Sequence, residues 1–161
     1  MPYRSIETGG ATIRLAESGA GKQTFVFLHY WGGSARTWHG VIHRLEDQGR
    51  CIALDQRGWG DSVATNGRYD LRSMADDAEA VARTLRLGSY VLVGHSMGGK
   101  VAQIVATRLP DRLVGLVLVA PAPPTPMPVP EPQRAAMLAS YGSRDGVEQA
   151  LSVRRRPAGQ K

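Results

Sequence analysis

Apolar positions along the chain follow two different periods, and the switches between them mark out its elements. Tyr3 to Glu7 and Ala11 to Glu17 read as two strands joined at Gly9-Gly10, a hairpin signal. After a turn at Gly19 to Lys22, Gln23-Thr24-Phe25-Val26-Phe27-Leu28 is a continuous apolar run of the kind expected of a strand buried on both faces. From about Arg36 to Gln48 the spacing becomes helical, with Trp38, Val41, Ile42 and Leu45 on one stripe and Ser34 placed as N-cap. Arg50 to Leu54 is the next strand, and Asp70 opens a helix running to about Leu87 on Leu71, Met74, Ala78, Val81 and Leu85. Tyr90 to Val93 reads as a short buried strand, Val101 to Leu109 as a helix closed by Pro110, and Val114 to Val119 as another buried strand.

Strands alternating with helices predict a mostly parallel sheet flanked by helices on both faces, an α/β fold. The pattern changes after Val119. Seven of the ten prolines lie between Pro121 and Pro132, a density that forbids helix or central strand and implies an extended connector. Helical spacing resumes around Pro132 to Tyr141 and Asp145 to Leu151, then fails at Arg154-Arg155-Arg156-Pro157. The expected organisation is an α/β core over residues 1–122, a proline-rich connector with cap-like helices over 123–153, and a basic disordered tail over 154–161.

Composition narrows the function. Hydrophobic residues make up 42% and charged residues 21%, as in ordinary globular proteins, and no apolar run reaches membrane-spanning length. Met1 to Ala20 lacks the apolar centre of a signal peptide, which predicts a cytoplasmic protein. Cys51 is the single cysteine, so an internal disulfide is impossible, and its setting in Arg50-Cys51-Ile52-Ala53-Leu54 suits a buried, inert thiol. The net charge of +6 is concentrated at one end: Leu151 to Lys161 holds four positive charges and no acid, leaving only +2 on the remainder. A solvated tail accounts for that, so neither nucleic acid nor a membrane is expected as a partner.

The chemistry centres on Gly94-His95-Ser96-Met97-Gly98, a Gly-x-Ser-x-Gly between a predicted strand and a predicted helix. A turn this tight holds its serine in a strained conformation and lifts the hydroxyl off the sheet. A Cβ at Gly94 or Gly98 would collide with the neighbouring helix or strand. The stretch resembles the nucleophile elbow of the α/β-hydrolase family, and the resemblance runs from near the start of the chain to about Pro130. It implies the N-terminal half of an α/β-hydrolase with the start of a helical cap, and a serine hydrolase acting on small ester-like or related acyl substrates without cofactor or metal. Ser96 would be the nucleophile. His29-Tyr30-Trp31 follows the third strand where the family builds its oxyanion loop, so Trp31 and Met97 would donate the two oxyanion backbone N–H groups. Tyr30, in place of the usual glycine, and His95 would line the substrate pocket, and His29 would shape the loop.

The remaining machinery is harder to place. In this fold the triad runs in chain order Ser, acid, His, and none of the four histidines, His29, His39, His43 and His95, follows Ser96. The later acids Asp111, Glu131, Asp145 and Glu148 do not follow core strands, so the triad acid and base are left unassigned. His39 and His43, at i, i+4 spacing, suit a solvated face better than a metal pair. Asp55 and Asp61, in Asp-x-Arg-Gly-x-Gly-x-Ser, suit bonds to loop amides. The expectation is a C-terminally truncated member of the family whose strand 114–119 is an apolar edge open to self-association. The alternative reading is a catalytically impaired remnant acting by binding or self-association.

Overall fold

The computed structural model describes residues 1–140, 143 and 145–148. The chain divides into two compact units, Met1–Pro124 and Thr125–Lys161. The first is built on a six-stranded sheet: β1 Tyr3–Glu7, β2 Ala11–Leu28, β3 Gly49–Leu54, β4 Val63–Ala64, β5 Tyr90–His95 and β6 Leu113–Val119. β1 and the two-residue β4 pair antiparallel with the start of β2, while β3 and β5 lie parallel to its end and β6 parallel to β5.

β2 is a single long element where two strands and a turn are expected. Gly19, at φ 79, lets the chain double back without leaving the ladder. Leu15 to Ser18 therefore register against Leu54 down to Cys51 of β3, and Thr24 to Leu28 register against Arg50 to Leu54. The end of β2 is buried on both faces, as its apolar run predicts: Val26, Phe27 and Leu28 are each at most 1% exposed. Phe27 joins Cys51, Ala53 and Val93 against Trp38 and Ile42, with the Phe27 and Trp38 ring centroids 5.1 Å apart. On the other face pack the helices α2 Leu71–Thr84 and α3 Met97–Thr107.

The helix expected over residues 36–48 is shorter and in two parts, a 3-10 turn Ala35–Trp38 followed by α1 His39–Leu45. The tighter turn advances the phase by about 120° per residue rather than 100°. Ala35, Trp38 and Ile42 consequently face inward, and Val41 is left 41% exposed. In α2, Asp70 is the N-cap and accepts from Ser73 N–H at 2.9 Å. Desolvation works to raise its carboxyl, but the bonds from Ser73 and the charge of Arg68 win and hold it at about 2.

β6 lies at the sheet edge, as expected of strand 114–119, and is therefore not buried as its apolar run alone predicts. Among the described residues its only sheet neighbour is β5, and Val114, Val117 and Val119 are 59%, 46% and 40% exposed. In the second unit the proline-rich run ends in α4 Glu131–Ala139, with Pro132 in the first turn, where its missing N–H has no helical acceptor to lose. Residues 145–148 are helical. The expected tail over 154–161, and the end of the helix expected to Leu151, lie outside the described residues.

Candidate active site

β5 ends at His95 and α3 begins at Met97, so Ser96 alone makes the corner. Its backbone stands at φ 51, ψ −109, a region that costs a non-glycine residue on the order of 1–3 kcal/mol. The two glycines of the motif make the corner possible. A Cβ on Gly94 would lie 2.4 Å from the Gly98 carbonyl oxygen, and one on Gly98 would lie 2.3 Å from that of Leu28. Ser96 is half-buried, and no hydrogen bond to its hydroxyl is made among the described residues. The first N–H groups of α3, beginning with Met97, have no acceptor within the helix and carry the positive end of its dipole.

The loop after β2 leaves from beside this helix start, because Gly98 sits against the carbonyls of Leu28 and His29. His29 is completely buried and bonded at both ring nitrogens. Its Nε2 accepts from Gln56 N–H at 3.0 Å, which leaves the proton on Nδ1 to donate to the Tyr30 carbonyl at 2.6 Å. Burial pushes the imidazole down to about 4, against the smaller opposing effect of the Tyr30 bond, so it is neutral. Gly33 N–H also donates to the Tyr30 carbonyl, at 3.0 Å. With that carbonyl fixed, the trans peptide fixes the opposite direction for Trp31 N–H.

Gln56 fastens the loop a second time through Nε2 to His29 O at 2.7 Å. Sequence reasoning missed it: a glutamine in a polar loop motif carries no signal of what it will reach across the fold. The other residues of that motif divide the work. Asp55 accepts from Ala35 N–H at 2.7 Å and Asp61 N–H at 3.0 Å, and burial nonetheless raises its carboxyl. Asp61 instead meets Arg14 Nε at 3.3 Å on the surface, so only the first acid bonds loop amides through its side chain. Arg57 is buried with Asp77 of α2, pairing through Nε at 2.5 Å and Nη2 at 2.7 Å.

Tyr30 and His95 are brought together, ring centroids 5.2 Å apart and edge to face, and His95 stands 6.3 Å from Trp38. Trp31 packs edge to face on Trp59 at 5.3 Å. None of the four histidines hydrogen-bonds Ser96: His39 is bonded to the Tyr3 hydroxyl at 3.0 Å and His43 to Glu46 at 3.1 Å, each with its own partner. Among the described residues no group of three or more His, Cys, Asp or Glu could hold a metal ion, and no helix is long and apolar enough to cross a membrane.

Comparison with known proteins identifies the family. A family model described as the alpha/beta hydrolase fold matches residues 23–154. The 2-(acetamidomethylene)succinate hydrolase of Mesorhizobium japonicum is 32% identical over 116 residues, 72% of this chain and 41% of that protein. A fluoroacetate dehalogenase of Burkholderia sp is 29% identical over 121 residues, 72% of this chain and 40% of the relative. Among solved structures, an esterase from Exiguobacterium antarcticum superposes with a TM-score of 0.77 at 26% identity, covering 92% of this chain and 59% of that one. The chain thus spans about two fifths of the length of these curated relatives. The family match over most of the sequence makes the chain a member of the α/β-hydrolase family.

Proposed function

We propose that the chain carries the nucleophile and oxyanion half of a serine hydrolase for ester or related acyl substrates. The observation that carries this reading is the strained, half-buried Ser96 between β5 and α3, at the helix end where backbone N–H groups are unused by the helix. Ser96 Oγ attacks the substrate carbonyl carbon, and the carbonyl π electrons move onto oxygen. The resulting oxyanion is held by the N–H groups of Trp31 and Met97, the first aimed by the locked Tyr30 carbonyl and the second by the start of α3. Collapse expels the alcohol and leaves an acyl-serine that water hydrolyses. Tyr30 and His95 line the acyl side. None of the four histidines bonds the serine, and His29 is bonded at both nitrogens, so the Oγ proton passes to solvent water as the Oγ–carbon bond forms, and water returns a proton to the departing alkoxide. A serine at the corner, rather than a carboxylate, favours acyl transfer over dehalogenation. The reading is of a cytoplasmic enzyme for dissolved small molecules. A fluorophosphonate should label the full chain at Ser96 and fail on Ser96→Ala; equal labelling of both proteins would sink the assignment.

A second reading is favoured by β6, whose outer edge pairs with no other strand among the described residues and exposes valines at 114, 117 and 119. Here a second copy pairs along that edge and the chain acts by association without turnover. Light scattering at tens of micromolar distinguishes the two, since a sharp monomer would dismiss it.

A further inference from the structure

Resting on Ser96 as the nucleophile, we propose that Gln103 is a positioning residue for it, acting through a clasp formed by residues 119–122. The strained serine is held from outside its own helix. Its N–H donates to Val119 O at 3.1 Å, and its carbonyl accepts from Ala122 N–H at 3.1 Å, besides Gly99 N–H at 3.0 Å and Lys100 N–H at 3.3 Å. Both peptide groups of Ser96 are therefore tied to the same four residues, 119–122, where the chain leaves β6.

Those four residues adopt a shape suited to that task. Ala120 stands at φ 40, reversing the chain so that Val119 O and Ala122 N–H both meet the serine. Pro121 seats in the notch left by Gly99, where a Cβ would come 2.9 Å from the proline Cβ. Gln103, one turn beyond Gly99 on α3, closes the arrangement. Its Nε2 donates to Gly99 O at 3.0 Å and to Ala122 O at 3.4 Å. Ala122 is thus gripped at both ends of its residue, with the N–H on Ser96 and the carbonyl on Gln103. Two donors on one nitrogen at this length let the side chain bridge helix and clasp.

The inference is tested on the full chain by saturation kinetics of fluorophosphonate labelling at Ser96, with thermal melts alongside. Gln103→Met keeps length and apolar bulk but removes both donors, and Gly99→Ala pushes Pro121 outward from within. Each should lower the maximal labelling rate about tenfold while the half-saturating concentration changes by less than about twofold, as expected when orientation rather than binding is lost. Thr107→Val, at the far end of α3 where Thr107 Oγ1 bonds Ile104 O, should leave both unchanged. A Gln103→Met protein that melts lower yet labels at the parent's maximal rate would overturn the proposal. Hydrogen exchange at the Ala122 amide supplies a readout independent of labelling: it should quicken about tenfold in Gln103→Met, and parent-like exchange would also overturn the clasp. If the parent's serine resists labelling while exchange quickens, the clasp stands and the hydrolase reading is what fails.

Discussion

Mild acid should unfasten the loop after β2 before it touches ordinary carboxylates, and His29 is the reason. Above pH 6.5 its imidazole is neutral in folded and unfolded chains alike and contributes no pH dependence. Between 6.5 and the folded value of about 4, the unfolded chain binds a proton that the folded one refuses, so stability falls as pH falls. At about 1.4 kcal/mol per unit this amounts to about 2 kcal/mol by pH 5 and about 3 kcal/mol by pH 4. The structural cause is explicit: a proton on Nε2 would face the Gln56 N–H that now donates to it. In urea, with a slope of about 2 kcal/mol per molar, the midpoint should drop by about 1 M between pH 7 and pH 5. His29→Gln keeps a donor and an acceptor without a titration, and its midpoint should lack that drop over the same interval. Asp55 works in the opposite direction, because burial raises its carboxyl and its protonation favours the folded state as pH falls. It is common to both proteins and drops out of their difference. Identical pH dependence in parent and His29→Gln would refute the reasoning.

Three further outcomes follow from particular contacts. Gly98→Ala places a Cβ 2.3 Å from the Leu28 carbonyl oxygen and should lose on the order of 1–3 kcal/mol, read as a melt lowered by about 5 °C; an unchanged melt would mean the corner is looser than drawn. Asp77→Ala strands the buried Arg57 guanidinium and should lose about 3–5 kcal/mol in urea unfolding, whereas Arg57→Met with Asp77→Leu should recover most of it; a double variant as weak as the single one would contradict this account. Ser96→Gly relieves the φ 51 backbone and should stabilise the chain by about 1 kcal/mol while abolishing fluorophosphonate labelling; a lower melting temperature would show that the backbone there is not strained.

The sheet was legible because its strands announce themselves by continuous burial. Phe25 to Leu28 and Cys51 to Leu54 have no polar face to hide, and their neighbours in sequence supply the covering helices. The tight turn at Ser96 was legible for a different reason: the glycines at 94 and 98 are each required by a close backbone approach, and such requirements leave a pattern in the sequence. Long-range polar contacts leave none. Arg57 and Asp77 are twenty residues apart, and each looks like a solvated charge until α2 turns the aspartate inward beside Met74 and Ala78. Gln56 and Gln103 are similar cases, amides whose partners are set by tertiary packing rather than by period. The exposure of β6 was legible only indirectly: its own apolar pattern marks it as a strand for burial, and its place at the edge came from the order of core strands along the chain.

Backbone strain separates local necessity from site architecture. Among the described residues, four other than glycine have positive φ: Arg86, Ser96, Leu109 and Ala120. Arg86 and Leu109 each follow the last turn of a helix, a place where a left-handed residue ordinarily satisfies free carbonyls. Arg86 N–H reaches Arg83 O and Leu87 N–H reaches Ala82 O, the double bond pattern of such an exit, while at Leu109 only the first bond forms because Pro110 has no N–H. Those two conformations are explained by the helix each one ends. Ser96 and Ala120 have no such explanation. Ser96 begins a helix, where an extended residue would serve, and Ala120 follows a strand that could run on. What they share is a set of bonds from one segment to the other, Ser96 N–H to Val119 O and Ala122 N–H to Ser96 O, so neither conformation is secured by its own stretch of chain. A motif written around the serine therefore describes half of the device that presents it, and the other half lies where the chain comes off β6.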